Sequence, residues 1–152
     1  MIGTLLAVLG TLGGALVAGL LQHLTTTRSE RAARSERHRQ TLAAAVPALL
    51  SALVRHREQQ YLKIVARRTG EPETDEDRRA RYAARSAVTS AMDDLHMATR
   101  DDTLLGLAQE AVDATIALGD AAPDEADAVG MRARVTHTTL RLAGAARVHA
   151  LG

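Results

Sequence analysis

The chain has 152 residues, 46% of them apolar, with nineteen Lys and Arg against eighteen Asp and Glu, which suits one modest helical or mixed domain. It contains no Cys, Phe or Trp, and its two aromatic residues are Tyr61 and Tyr82. That excludes a disulfide framework, a thiolate metal site and a Cys nucleophile, and leaves Leu, Val, Ala, Ile and Met to build any core.

The first element is Met1 to Leu24, which carries no Asp, Glu, Lys or Arg. As a helix it would extend roughly 36 Å, against a hydrocarbon core of about 30 Å. Between Ile2 and Gln22 there are seven Leu, two Val and one Ile. On the insertion scale these contribute roughly −3 to −6 kcal/mol before Gly and Thr subtract from it. The segment reads as a transmembrane anchor, residues 1–24. A secretory signal peptide is the nearest alternative, but no Lys or Arg precedes the apolar run and Gly19-Leu20-Leu21-Gln22 makes a poor cleavage site. A buried helix of a soluble bundle is the other.

At 100° per residue, Gly3, Ala7, Gly10, Gly14 and Ala18 share one face of this helix, opposite Leu5, Leu9, Leu12, Leu16 and Leu20. Small residues four apart let two backbones approach in lipid, so this is a candidate helix-association face. The competing explanation is that Ala and Gly are common throughout the chain.

Residues 25–40 form a basic juxtamembrane segment in which Arg28, Arg31, Arg34, Arg37 and Arg39 outnumber Glu30 and Glu36. Helical spacing places the guanidinium groups along a drifting stripe suited to lipid headgroups, although a stop-transfer flank needs the same charges. By the positive-inside tendency the N-terminus faces out and residues 41–152 stay in the cytoplasm. From Arg28 to Arg68 ten basic residues stand against three acidic, while from Glu71 to Asp127 five stand against fifteen. An anionic leaflet would attract the first block and repel the second.

Leu42 to Thr69 predicts a helix whose arc holds Leu42, Val46, Leu49, Leu50, Leu53, Val54, Tyr61, Ile64 and Val65, with Arg57 inside the arc. Pro47 predicts either a kink or a fresh start with proline in the first turn. Arg67, Arg68 and Gly70 form a stop signal. In the loop 70–76, Thr74 with Asp77 approximates a capping box, and Ala84, Val88, Ala91, Leu95 and Ala98 then repeat with spacing 4, 3, 4, 3. Asp101 to Thr103 supply N-cap residues for a helix ending at Gly119. Pro123, Asp124 and Glu125 predict the start of the last helix, with proline at its first position. That helix carries two apolar stripes. Val129, Ala133, Thr136, Leu140 and Ala143 form one; Met131, Val135, Thr138 and Leu142 form the other, which places the helix at the bundle centre or at a subunit contact.

The predicted fold class is therefore all-α: a transmembrane helix continuing into a basic helix, then an antiparallel bundle of about four helices. Six scattered His residues show no metal-ligand spacing, and no phosphate-loop, dinucleotide or nucleophile-elbow motif occurs. No cofactor, catalytic residue or metal site is predicted, and Arg28 to Arg39 without interleaved aromatics argue against nucleic acid.

The run MIGTLLAVLGTLGGALVAGLL followed by RSERAARSERHRQ resembles the short single-span membrane proteins of actinobacterial genomes and plasmids, among them plasmid transfer accessories. The resemblance implies membrane topology and assigns no functional residue. The expected function is a membrane-anchored interaction or scaffold protein that self-associates and binds lipid and a protein partner. The alternative is a holin-like or pore-forming effector regulated by its soluble helices; an enzyme ranks third.

Overall fold

A computed structural model describes residues 2–122 and 124–151, with side chains from Ser29 onward. Among the described residues the regular structure is entirely α-helical, as four helices: α1 Ile2–Thr69, α2 Asp75–Ala98, α3 Asp102–Asp120 and α4 Ala126–Ala150. The chain divides into two compact units, Met1–Arg37 and His38–Gly152. In the first, the described side chains from Ser29 to Arg37 are exposed except for half-buried Glu36.

The second unit is an antiparallel four-helix bundle. Val46 of α1 lies against Gly144 of α4 and Tyr61 against Gly130, so the two helices run in opposite senses. Arg81 and Arg85 of α2 lie by Lys63 and His56 of α1, again antiparallel. The N-cap of α3 meets the last turn of α4, where Arg147 Nε donates to Asp101 Oδ2 at 2.7 Å. One apolar cluster joins all four helices through residues such as Leu49, Leu53, Leu95, Leu104 and Leu140. A smaller one of Ile64, Leu118 and Ala126 closes the end nearer the α3–α4 connection. Fully burying each such Leu or Ile contributes roughly 1.5–3 kcal/mol.

The local signals act as the residue types require. Gly70 takes φ +71, a left-handed conformation that costs glycine nothing, straight after Arg67 and Arg68 in the last turn of α1. Thr74 and Asp77 make a reciprocal capping box: the Asp77 amide donates to the Thr74 hydroxyl at 3.1 Å, and the Thr74 amide donates to the Asp77 carboxylate at 3.1 Å. The Thr74 hydroxyl also donates to the Asp77 carboxylate at 2.6 Å, and that bond, followed by the one from the Thr74 amide, holds the Asp77 carboxyl below its ordinary pKa. Asp101 Oδ1 accepts from the Thr103 and Leu104 amides at 3.0 and 3.1 Å. The inward face of α2 comprises Val88, Ala91, Met92, Leu95 and Ala98.

Three expectations need correction. Pro47 neither starts nor ends a helix: it lies inside continuous α1. Proline removes one backbone bond to the carbonyl four residues earlier, and here both Pro47 and Ala43 are exposed, so water can satisfy that carbonyl. The helix α4 starts later than expected, at Ala126, with Glu125 as an N-cap that makes no side-chain bond; Pro123 lies outside the described residues. Nor is α4 the bundle centre, because its second stripe is exposed.

Among the described residues no helix is long and apolar enough to cross a membrane. The side chains of the expected anchor, 1–24, lie outside the described residues, and with them the face Gly3, Ala7, Gly10, Gly14 and Ala18.

Candidate association surface

The two faces of α4 differ in residue size as much as in burial. Inward it presents Ala126, Gly130, Ala133, Leu140 and Gly144, all buried, with Leu140 the one large side chain among them. Small residues are needed there because the neighbour is close: a Cβ on Gly144 would meet Val46 Cγ1 at 2.6 Å, and one on Gly130 would collide with the Tyr61 hydroxyl. Outward, Met131, Val135 and Leu142 are 56%, 58% and 62% exposed, and Thr138 between them is exposed too. Spacings of 4, 3 and 4 put these on one helical row. The row runs on through exposed Ala145 to His149. There it borders a groove of about 660 Å³ between α1 and α4, lined by Val46, Pro47, Leu50 and Val148 among others.

Electrostatically the row is polarised end to end. Asp127 sits in the first turn of α4, and Arg147 and His149 in the last, each sign matched to the helix dipole. On the inner flank His137 is held below its ordinary pKa of 6.5, chiefly by burial and then by Arg57; a hydrogen bond to the Leu50 carbonyl opposes the shift. Its Nε2 is buried with no hydrogen-bond partner among the described residues. Arg57, half-buried, lies against this helix and has no described acidic partner within ion-pair reach.

The expected headgroup arginines scatter. Arg31, Arg34 and Arg37 are exposed, Arg39 is half-buried and lines the α1–α4 groove, and the Arg28 side chain lies outside the described residues. Arg34 pairs with Glu30 one turn earlier at 3.6 Å, an exposed contact worth little. Among the described residues no group of three His, Asp or Glu side chains could hold a metal ion. What the residue pattern did not reveal is the polar inner surface of α1, where His56 and Gln60 are buried at 3% and 8% exposure. The available signal was their phase: positions 49, 53, 56, 60 and 64 continue a single buried row.

Residues 43–150 match the family model described as the KilB plasmid transfer protein. Over 94 residues the chain is 42% identical to a protein named KilB from Streptomyces lividans, a stretch covering 60% of this chain. The matched stretch covers 61% of that relative's length. No solved structure matches. The plasmid-type actinobacterial resemblance is supported by these matches, and the family match falls on residues 43–150 and not on the N-terminal run that suggested the resemblance. The family description names transfer and no chemical reaction.

Proposed function

The chain belongs to the KilB plasmid transfer protein family, and from that premise we propose that it is a membrane-anchored helical interaction protein of plasmid transfer that works as a self-associated assembly. The observation that carries the reading is the outward row of α4, three large apolar side chains each more than half exposed on a helix already packed on its other side. A row of this kind is costly to leave in water and marks a contact surface.

The occupant that fits best is a second copy of the same helix in antiparallel register. A two-fold pairing about Thr138 sets Met131 against Ala145 of the partner subunit and buries both copies of the row. It also brings Asp127 beside His149 of the partner subunit, so the polarised ends attract. The anchor assignment rests on the uncharged stretch 1–24 followed by five Arg against two Glu, which by charge bias sets the N-terminus outside and the bundle in the cytoplasm.

The test is chemical crosslinking in native membranes together with light scattering of the detergent-solubilised protein. A dimer or higher species is expected, and Val135→Asp combined with Leu142→Asp should disperse it while leaving the helical content intact. A full-length protein that is monomeric in both settings overturns the self-association. Dye leakage or growth arrest on expression, undiminished by those substitutions, would instead favour the pore-forming alternative.

A further inference from the structure

Away from α4, one end of the bundle holds a cleft of about 230 Å³ between α1, α2 and α3. His56, Gln60, Lys63, Arg78, Arg81 and Arg85 line it, and Asp120 is the one acid that does. Three of its cations, Arg78, Arg81 and Arg85, come from the acidic block of the sequence, and folding sets them beside Lys63 and His56 of the basic block. Its floor is unusual. Gln60 Nε2 and His56 Nε2 are 3.2 Å apart, which leaves His56 Nδ1 and Gln60 Oε1 buried with no hydrogen-bond partner among the described residues. A buried polar atom left unpaired costs about 1–3 kcal/mol, so two in one cleft point to a missing ligand.

The charges on the wall are only partly neutralised. Arg78 pairs with Asp75 at 3.3 Å through side chains that are both more than half exposed, and Arg81 pairs with Glu73. Lys63 donates to the Gly119 carbonyl at 3.0 Å. Arg85 has no acid within ion-pair reach among the described residues. Lys63 is held below its ordinary pKa by desolvation first and then by Arg67 and Arg81, against a smaller opposing pull from Asp120. Burial and the Arg85 guanidinium lower His56 in the same way. Both shifts come first from burial, and the neighbouring guanidinium groups add to each in the same direction.

We propose that this cleft binds a phosphate anion that keeps one O–H, as inorganic hydrogen phosphate or as the singly protonated head of a small phosphomonoester. The unpaired His56 nitrogen and Gln60 oxygen suit an anion carrying both acceptor oxygens and one O–H, and Arg85 and Lys63 supply the charge. The volume is that of about eight waters, enough for a phosphate with a short ester group and too small for a duplex.

The experiment is calorimetric titration of the full-length protein in non-ionic detergent with inorganic phosphate, glycerol 3-phosphate, a short-chain phosphatidic acid and a short oligonucleotide, at about pH 7.5. Saturable binding is expected, weakened about tenfold or more by Arg85→Gln and unchanged by Arg79→Gln, which is on the same helix and does not line the cleft. Phosphatidic acid binding more tightly than glycerol 3-phosphate identifies a lipid source, and equal affinity identifies a free phosphoester. As a second readout, ligand should move the His56 ring resonances and raise its pKa while leaving His149 unmoved. No saturation by about 10 mM, binding indifferent to Arg85→Gln, or binding only to an oligonucleotide overturns the proposal.

Discussion

Helices α3 and α4 are adjacent antiparallel members of one bundle, yet they divide their side chains in opposite ways. On α3, Leu104, Val112 and Leu118 point inward with Ala108 and Ala111, while Gln109, Glu110, Asp113 and Asp120 face water. On α4 most inward positions are Ala or Gly, and three of its large apolar residues face out. A helix of the first kind is satisfied by its own bundle. One of the second kind is satisfied only when something covers its other side, which is why the apolar content of α4 is a statement about assembly as much as about stability.

The comparison breaks most directly at two leucines two residues apart. Leu140→Ala, at a fully buried position, should cost about 2–5 kcal/mol in urea denaturation. Leu142→Ala should stay within about 0.5 kcal/mol in a monomeric state and act on association instead. Equal losses in dilute detergent would mean that the outer row is already covered within one chain.

A smaller effect sharpens the point about close approach. Gly144→Ala gains about 1 kcal/mol of helix propensity, but its new methyl meets Val46, a stiff β-branched side chain only 4% exposed. Overpacking of this kind costs about 1–3 kcal/mol, so a net loss is expected, and adding Val46→Ala should recover part of it. Thermal midpoints of the two single variants and the double variant decide this.

The smallest effect is a pH dependence on the α1 side. His56 is depressed from 6.5 by burial and by Arg85, so the folded protein favours the neutral ring. Stability from this group is fully present above about pH 6.5 and declines as pH falls toward the lower folded value, because the unfolded chain then binds more protons. Denaturation curves at successive pH values should show that decline, and His56→Gln should flatten most of it, with His137 accounting for a further part.

Much of the bundle was legible in the residues. The Thr74–Asp77 box, the Asp101 cap, the Gly70 stop and the 4, 3, 4, 3 row of α2 are local signals, and each does in the fold what its chemistry requires. Of the two alternatives open at Pro47, the fresh start is absent because the cost of an interior proline depends on solvent access four residues earlier, which only packing determines. Val65 belonged to a predicted inner arc and turns out 51% exposed, because a bundle face is narrower than the arc a wheel suggests. The phosphate cleft was hidden for a different reason: its cations come from α1 and α2, and no sequence spacing links Lys63 to Arg85.

Asp101 has one carboxylate and two separate obligations. One oxygen terminates the free amides at the start of α3, while the other grips Arg147 near the far end of α4. Any event that peels the closing turn of α4 away therefore strands an anion at a helix origin, and fraying at one extremity is felt as a loosened start at the other. The hairpin made by these two helices is latched at its open end, so a partner engaging α4 from outside must either leave that latch shut or loosen both helices together.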